Sequence, residues 1–117
     1  MGRLTTHVLD TAQGRPAAGM AVRLYRLEGA RATLLKSLAL DADGRCAAPL
    51  LEGDAYRPGR YRLVFALAEY FRACAVPLAD PPFLDEVPLE FGIAAGNDHY
   101  HVPLLASPWA YSTYRGS

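Results

Sequence analysis

From Glu86 to Ile93 the chain alternates cleanly. Val87, Leu89, Phe91 and Ile93 share one parity, and Glu86 and Glu90 share the other. That period of two is the signature of a strand with one face buried. Pro88 removes a ladder donor, so this strand is predicted at an edge or a bulge. Tyr61, Leu63 and Phe65 alternate with Arg60, Arg62 and Val64, and Val22, Leu24 and Arg26 alternate with Arg23, Tyr25 and Leu27. Residues 5–10, 33–40, 98–105 and 109–114 read as further strands. Asp43-Gly44 and Pro58-Gly59 mark firm turns between them, Gln13 to Pro16 and Gly96 to Asp98 weaker ones. Ser107-Pro108 splits the last two strands into a hairpin.

One segment has a different period. Leu67, Tyr70, Phe71 and Cys74 fall at i, i+3, i+4 and i+7, which predicts a short amphipathic helix ended by Pro77. Seven or eight strands with one short helix predict an all-β fold, a β-sandwich. No repeat, linker or low-complexity segment interrupts it.

Composition narrows the function classes. A chain of 117 residues makes a single domain, 1–117. With 51% hydrophobic and 21% charged residues it can bury a core. The formal net charge of zero argues against nucleic acid or a membrane surface as partner, since both reward a basic excess. It suits a small-molecule ligand or self-association. Cys46 and Cys74 have no CxxC spacing and read as reduced thiols, with a disulfide left open. The opening MGRLTTHVLD enters a strand at once and has no apolar leader core, and no apolar run is long enough to span a membrane, so a cytoplasmic location is expected.

Candidate chemistry follows from strand parity. His7 and Leu9 point one way; so do His99, His101, Pro103 and Leu105; Ser112 and Tyr114 share a face of the last strand. If these strands line one surface, it carries imidazoles, a phenol and apolar residues, a floor suited to a polar heterocycle. Each residue also has a plainer reading. His7 is either a hydrogen-bonded surface histidine or a group for proton transfer near neutral pH. His99 and His101, as His-x-His on one face, fit either that role or a metal site with His7 as third ligand. The nearest supporting carboxylate for a metal, Asp98, points away on a regular strand. Arg45, after Asp43-Gly44, is either a surface charge or a fixed cation that would keep neighbouring imidazoles neutral and bind an oxyanion. Tyr114, Arg115, Gly116 and Ser117 are either a solvated terminus or a segment folded onto a site. No GxSxG and no phosphate loop is present.

Several of these stretches together resemble the 5-hydroxyisourate hydrolases, the enzymatic branch of the transthyretin-like family. The likeness lies in Leu4 to Asp10, in Gly14-Arg15-Pro16-Ala17, in Asp43-Gly44-Arg45 and in Gly59 to Leu63 with Tyr70-Phe71. It is strongest in His99 to Leu105 and Tyr111 to Ser117. The resemblance implies a transthyretin-like sandwich of two four-stranded sheets with one short helix. It implies a homotetramer, a dimer of dimers, with sites where two dimers meet. The implied reaction is hydrolysis of 5-hydroxyisourate to 2-oxo-4-hydroxy-4-carboxy-5-ureidoimidazoline in urate catabolism, without metal or other cofactor. Carried over residue by residue, His7, Arg45 and His101 are catalytic and Tyr114, Arg115, Gly116 and Ser117 bind substrate, with His99 and Ser112 in support. A departure at Ala106 to Ala110, where the family more often has Leu-Ser-Pro-Tyr-Gly, is expected to alter packing at the assembly interface. The rival is a transthyretin-like carrier without catalysis. Transthyretin has no histidine at the positions of His7 and His101 and lacks the Tyr-Arg-Gly-Ser ending.

Overall fold

A computed structural model describes residues 2–96 and 98–116. Among these residues eight strands and one α-helix follow in order: β1 (Leu4–Asp10), β2 (Arg15–Pro16), β3 (Ala21–Glu28), β4 (Arg31–Ala39), β5 (Gly59–Ala66), α1 (Leu67–Ala73), β6 (Glu86–Ile93), β7 (Tyr100–Ala106) and β8 (Tyr111–Thr113), with a single 3-10 turn at Gly53–Ala55 before β5. They form two four-stranded sheets, ordered β2-β1-β7-β8 and β4-β3-β5-β6. This is the expected sandwich of two sheets with one short helix. β6 lies at an edge, where the missing N–H of Pro88 costs least.

Alternation decides which face of each strand is inside. On β1, Leu4, Thr6, Val8 and Asp10 are buried while Thr5, His7 and Leu9 face outward. On β7, Val102, Leu104 and Ala106 are buried. The opposing sheet answers with Val22, Leu24, Tyr61, Leu63, Phe65, Val87 and Leu89. Slipping β1 by one residue would expose Leu4 and Val8 and bury His7. At roughly 1.5–3 kcal/mol per aliphatic side chain, that loss alone is about 3–6 kcal/mol. Packing of the core therefore holds His7 on the outer face.

β1 and β7 run parallel, with Thr5 opposite His101, His7 opposite Pro103 and Leu9 opposite Leu105. β8 then places Ser112 opposite Leu105. The outer face of this sheet thus gathers His7, Leu9, His101, Leu105 and Ser112, while Pro103 is buried and Tyr114, grouped with Ser112 by parity, lies beyond the end of β8.

Two local features differ from expectation. Arg15-Pro16 belongs to a two-residue edge strand, β2, which pairs with Leu9 and Asp10; two residues are too few to carry a period. The helix ends at Ala73, before Pro77 can act. Ala75 takes a φ of 60°, and Ala75 N and Val76 N donate to the carbonyls of Arg72 (2.9 Å) and Phe71 (3.0 Å). That pair of bonds is a Schellman cap built on alanine where glycine is usual.

The helix is tied to the first sheet through a buried carboxylate. Asp10, 1% exposed, accepts from Tyr70 Oη at 2.8 Å and from Gln13 N at 2.8 Å and Gln13 Nε2 at 2.6 Å. Burial, then the Asp10 contact, drives the Tyr70 phenol upward in pKa, so it stays a donor. Among the described residues no helix is long and apolar enough to cross a membrane.

Candidate active site

Three separate parts of the chain deliver the polar groups. β1 and β7 bring His7 and His101 to neighbouring strands, with ring centroids 6.5 Å apart and planes tilted by 33°. The turn after β4 brings Arg45. The C-terminal segment brings Gly116.

The Arg45 turn is held by backbone geometry. Asp41 Oδ1 accepts from Asp43 N at 2.9 Å and from Arg45 N at 3.0 Å, closing an Asx-type turn. Val8 N donates to the Gly44 carbonyl at 2.9 Å, which lays the turn against β1, and Arg45 becomes the bridge partner of His7. Gly44 has a φ of 70°, and a Cβ there would sit 2.6 Å from the Val8 carbonyl oxygen. Both facts require glycine: the conformation is costly for other residues, and the space does not exist.

Arg45 reaches the histidine face electrostatically. Burial first, and the Arg45 guanidinium second, hold His7 below the ordinary imidazole value; a contact with the Asp43 backbone pulls the other way. His101 is lowered by burial, then by Arg45, His7 and His99 in turn. Both rings are half-buried, so the pair is biased toward neutral imidazoles that can accept a proton.

The tail folds back onto β7. Gly116 N donates to the His101 carbonyl at 2.7 Å, and a Cβ on Gly116 would lie 2.9 Å from His101 Cδ2. Arg115 and Tyr114 turn elsewhere in the single chain. The Arg115 guanidinium stacks over Tyr100 at 4.1 Å and pairs with Asp98 at 3.8 Å. Together with Leu89, Phe91, Tyr100 and Val102, Tyr114 and Arg115 line a groove of about 250 Å³ at the open edge between β6 and β8. Ser112 lies exposed on the outer face of β8. Ser117, the last of the expected substrate-binding residues, lies outside the described residues.

His99 does not join His7. Its Nε2 lies 3.3 Å from Thr5 Oγ1, and the same hydroxyl is 2.8 Å from His101 Nδ1. Among the described residues no three His, Cys, Asp or Glu side chains are grouped to hold one metal ion. Sequence reasoning passed over two residues here. Thr5 shares the parity of His7 two positions on, which is a readable signal. Asp41 precedes the Asp-Gly turn by two residues, the spacing of an Asx turn. Cys46, beside Arg45, packs its sulfur against the Thr6 backbone, 3.5 Å from the amide nitrogen.

Set beside known proteins, the chain has close relatives. The sequence model described as the HIUase/Transthyretin family matches residues 4–116. A 5-hydroxyisourate hydrolase of Mesorhizobium japonicum is 60% identical over 116 residues, covering 99% of this chain and 93% of the relative. One from Pseudomonas aeruginosa is 56% identical over 117 residues, covering 100% and 93%. Among solved structures, that of Klebsiella pneumoniae 5-hydroxyisourate hydrolase superposes with a TM-score of 0.81 at 35% identity, covering 100% of both chains. By sequence over nearly its full length and by fold, the chain belongs to the HIUase/transthyretin family.

Proposed function

We propose that the chain hydrolyses 5-hydroxyisourate, opening a ring amide to give 2-oxo-4-hydroxy-4-carboxy-5-ureidoimidazoline. The observation that carries the reading is the facing pair His7 and His101 on one sheet face, both biased toward the neutral form by burial and Arg45. Water held between the imidazoles loses a proton to one of them as its oxygen bonds to the ring carbonyl carbon. Arg45 stabilises the oxyanion that forms. Collapse breaks the C–N bond, and the ring nitrogen takes a proton. A positioned base is worth ~10²–10⁴-fold, and an oxyanion donor ~10²–10³-fold. No metal takes part in this scheme. Gly116 packs its backbone against His101; Tyr114 and Arg115, which turn elsewhere in the single chain, meet the polar edge of the substrate with Ser117 once a second copy completes the site, with His99 and Ser112 in support.

The working unit in this reading is a tetramer, a dimer of dimers, with the histidine faces meeting between dimers. That face carries Leu9 at 36% exposure, and the hairpin beside it shows Trp109 at 62% and Tyr111 at 44%. Three large apolar side chains beside a polar pair are what a second copy would cover.

The test is to generate 5-hydroxyisourate in place from urate with urate oxidase and follow its decay by absorbance, with and without the protein and with EDTA in parallel. Accelerated decay that survives EDTA is expected. Acceleration abolished by EDTA would move the chemistry to a His-x-His metal site. No acceleration by a tetramer of verified size would leave the carrier reading standing.

A further inference from the structure

One hydroxyl stands between two imidazoles. Thr5 Oγ1 lies 2.8 Å from Nδ1 of His101 and 3.3 Å from Nε2 of His99. The register explains the meeting: Thr5 is opposite His101 on the parallel ladder, and His99 lies two residues back along the same parity. A threonine hydroxyl has one proton to give and lone pairs to receive. It can donate to one ring and accept from the other; it cannot donate to both. The tautomers of His99 and His101 are therefore coupled through Thr5.

We propose that Thr5 is a positioning residue of the hydrolysis, its hydroxyl accepting Nδ1–H of His101 and donating to Nε2 of His99, so that His101 keeps its Nε2 lone pair for water and His99 becomes the exit for the surplus proton. The proposal rests on the hydrolase reading of His101 given above. One consideration sets the direction. The reverse orientation would put the hydrogen of neutral His101 on Nε2 and leave that ring no basic nitrogen facing the site, because the bond made by one imidazole nitrogen fixes the other.

Proton balance calls for such an exit. Ring opening turns one water and one amide into a carboxylate and an N–H. Of the two water protons, one goes to the leaving nitrogen and one must depart. If His101 takes that proton on Nε2, its Nδ1–H passes to Thr5 while the Thr5 proton passes to Nε2 of His99. His101 is then neutral as the Nε2–H form, Thr5 donates to its Nδ1, and His99 carries the charge; the site resets when His99 releases its proton and His101 exchanges Nε2–H for Nδ1–H with water, which turns the Thr5 hydroxyl back. His99 borders a separate opening lined by Gly2, Arg3, Glu52 and Gly53. The proton leaves there.

The test uses the full-length protein with Thr5→Val, which keeps the β-branched shape without the hydroxyl, and Thr5→Ser, which restores it. Imidazole ¹⁵N NMR reads the tautomers without any turnover. His101 in the unaltered protein is expected as the Nδ1–H form, shifting toward Nε2–H in Thr5→Val and returning in Thr5→Ser. In the decay assay kcat is expected to fall about 10-fold in Thr5→Val, a fraction of what a general base supplies, with KM within about twofold and recovery in Thr5→Ser. His99→Asn, which still accepts from Thr5 but cannot carry a proton, should lower kcat and be rescued by added imidazole buffer. Finding His101 as Nε2–H in the unaltered protein would overturn the proposal, as would a native kcat in Thr5→Val. A protein with the expected tautomer that fails to hasten decay at all would instead count against the hydrolase reading.

Discussion

Gly116→Ala isolates the contact between the tail and His101. The backbone of Gly116 lies outside the left-handed region, so alanine meets no conformational penalty there. Its Cβ would lie 2.9 Å from His101 Cδ2 and 3.3 Å from the His101 carbonyl oxygen. Ordinary carbon–carbon contact is ~3.5–4.0 Å, so about 0.6–1 Å must be found. The imidazole cannot give freely, because Thr5 holds its Nδ1 at 2.8 Å. Either the ring turns off Thr5 or the tail lifts and breaks the 2.7 Å bond from Gly116 N. A misplacement of ~1 Å at a reacting group costs ~10²-fold, so kcat/KM should fall about 10- to 100-fold. Stability should move by less than ~1 kcal/mol, since the segment lies beyond β8 and outside the core and alanine also lowers the entropy of the unfolded chain. The assays are 5-hydroxyisourate decay, thermal unfolding, and the imidazole NMR signals of His101. Turnover within twofold of the unaltered protein, with unmoved His101 signals, would refute the steric reasoning.

Three further outcomes are expected. Arg45→Gln removes the cation that helps lower His7 and His101, so both should titrate at higher pH and the acid limb of the pH–rate profile should move up; Arg45→Lys should restore much of it. A profile that stays in place would take Arg45 out of the electrostatics. Stability should also depend on pH through the same rings. Their folded pKa lies below the unfolded value of 6.5, so the unfolded chain binds more protons between those values, and denaturant midpoints should fall as pH drops from 6.5 into that window and level off above it; His7→Gln should weaken the slope. Tyr70→Phe strips one donor from buried Asp10 and leaves the two from Gln13, so urea denaturation should show a loss of ~1–3 kcal/mol, with turnover unchanged.

The sandwich was legible because its strands are amphipathic. Val87 to Ile93 and Tyr61 to Phe65 state their buried face in the alternation alone. The histidine face was legible for the same reason, as His7 and His101 sit on the parity opposite Leu4, Val8, Val102 and Leu104. Long-range pairing was not. Nothing in residues 4–10 announces that β1 runs parallel to β7, so the Thr5 contact with two imidazoles stayed hidden although its parity was visible. The end of α1 was misjudged because a left-handed alanine leaves no compositional mark where Pro77 leaves a loud one. For Arg115 strand parity carried no information, since the residue lies beyond the end of β8 and its side chain follows Tyr100 and Asp98.

The parallel pairing of β1 with β7 has a consequence for how the protein is made. Strands this far apart in sequence meet only after a long loop has closed, a step that slows folding. On the ribosome, β1 emerges before β7 and lacks that neighbour until β2 to β6 have followed. Until then its outward histidine has no counterpart and its inward leucine and valine have incomplete cover. A chain broken off before residue 100 lacks the strand that pairs with β1 along its whole length, and its first sheet stays open to quality control.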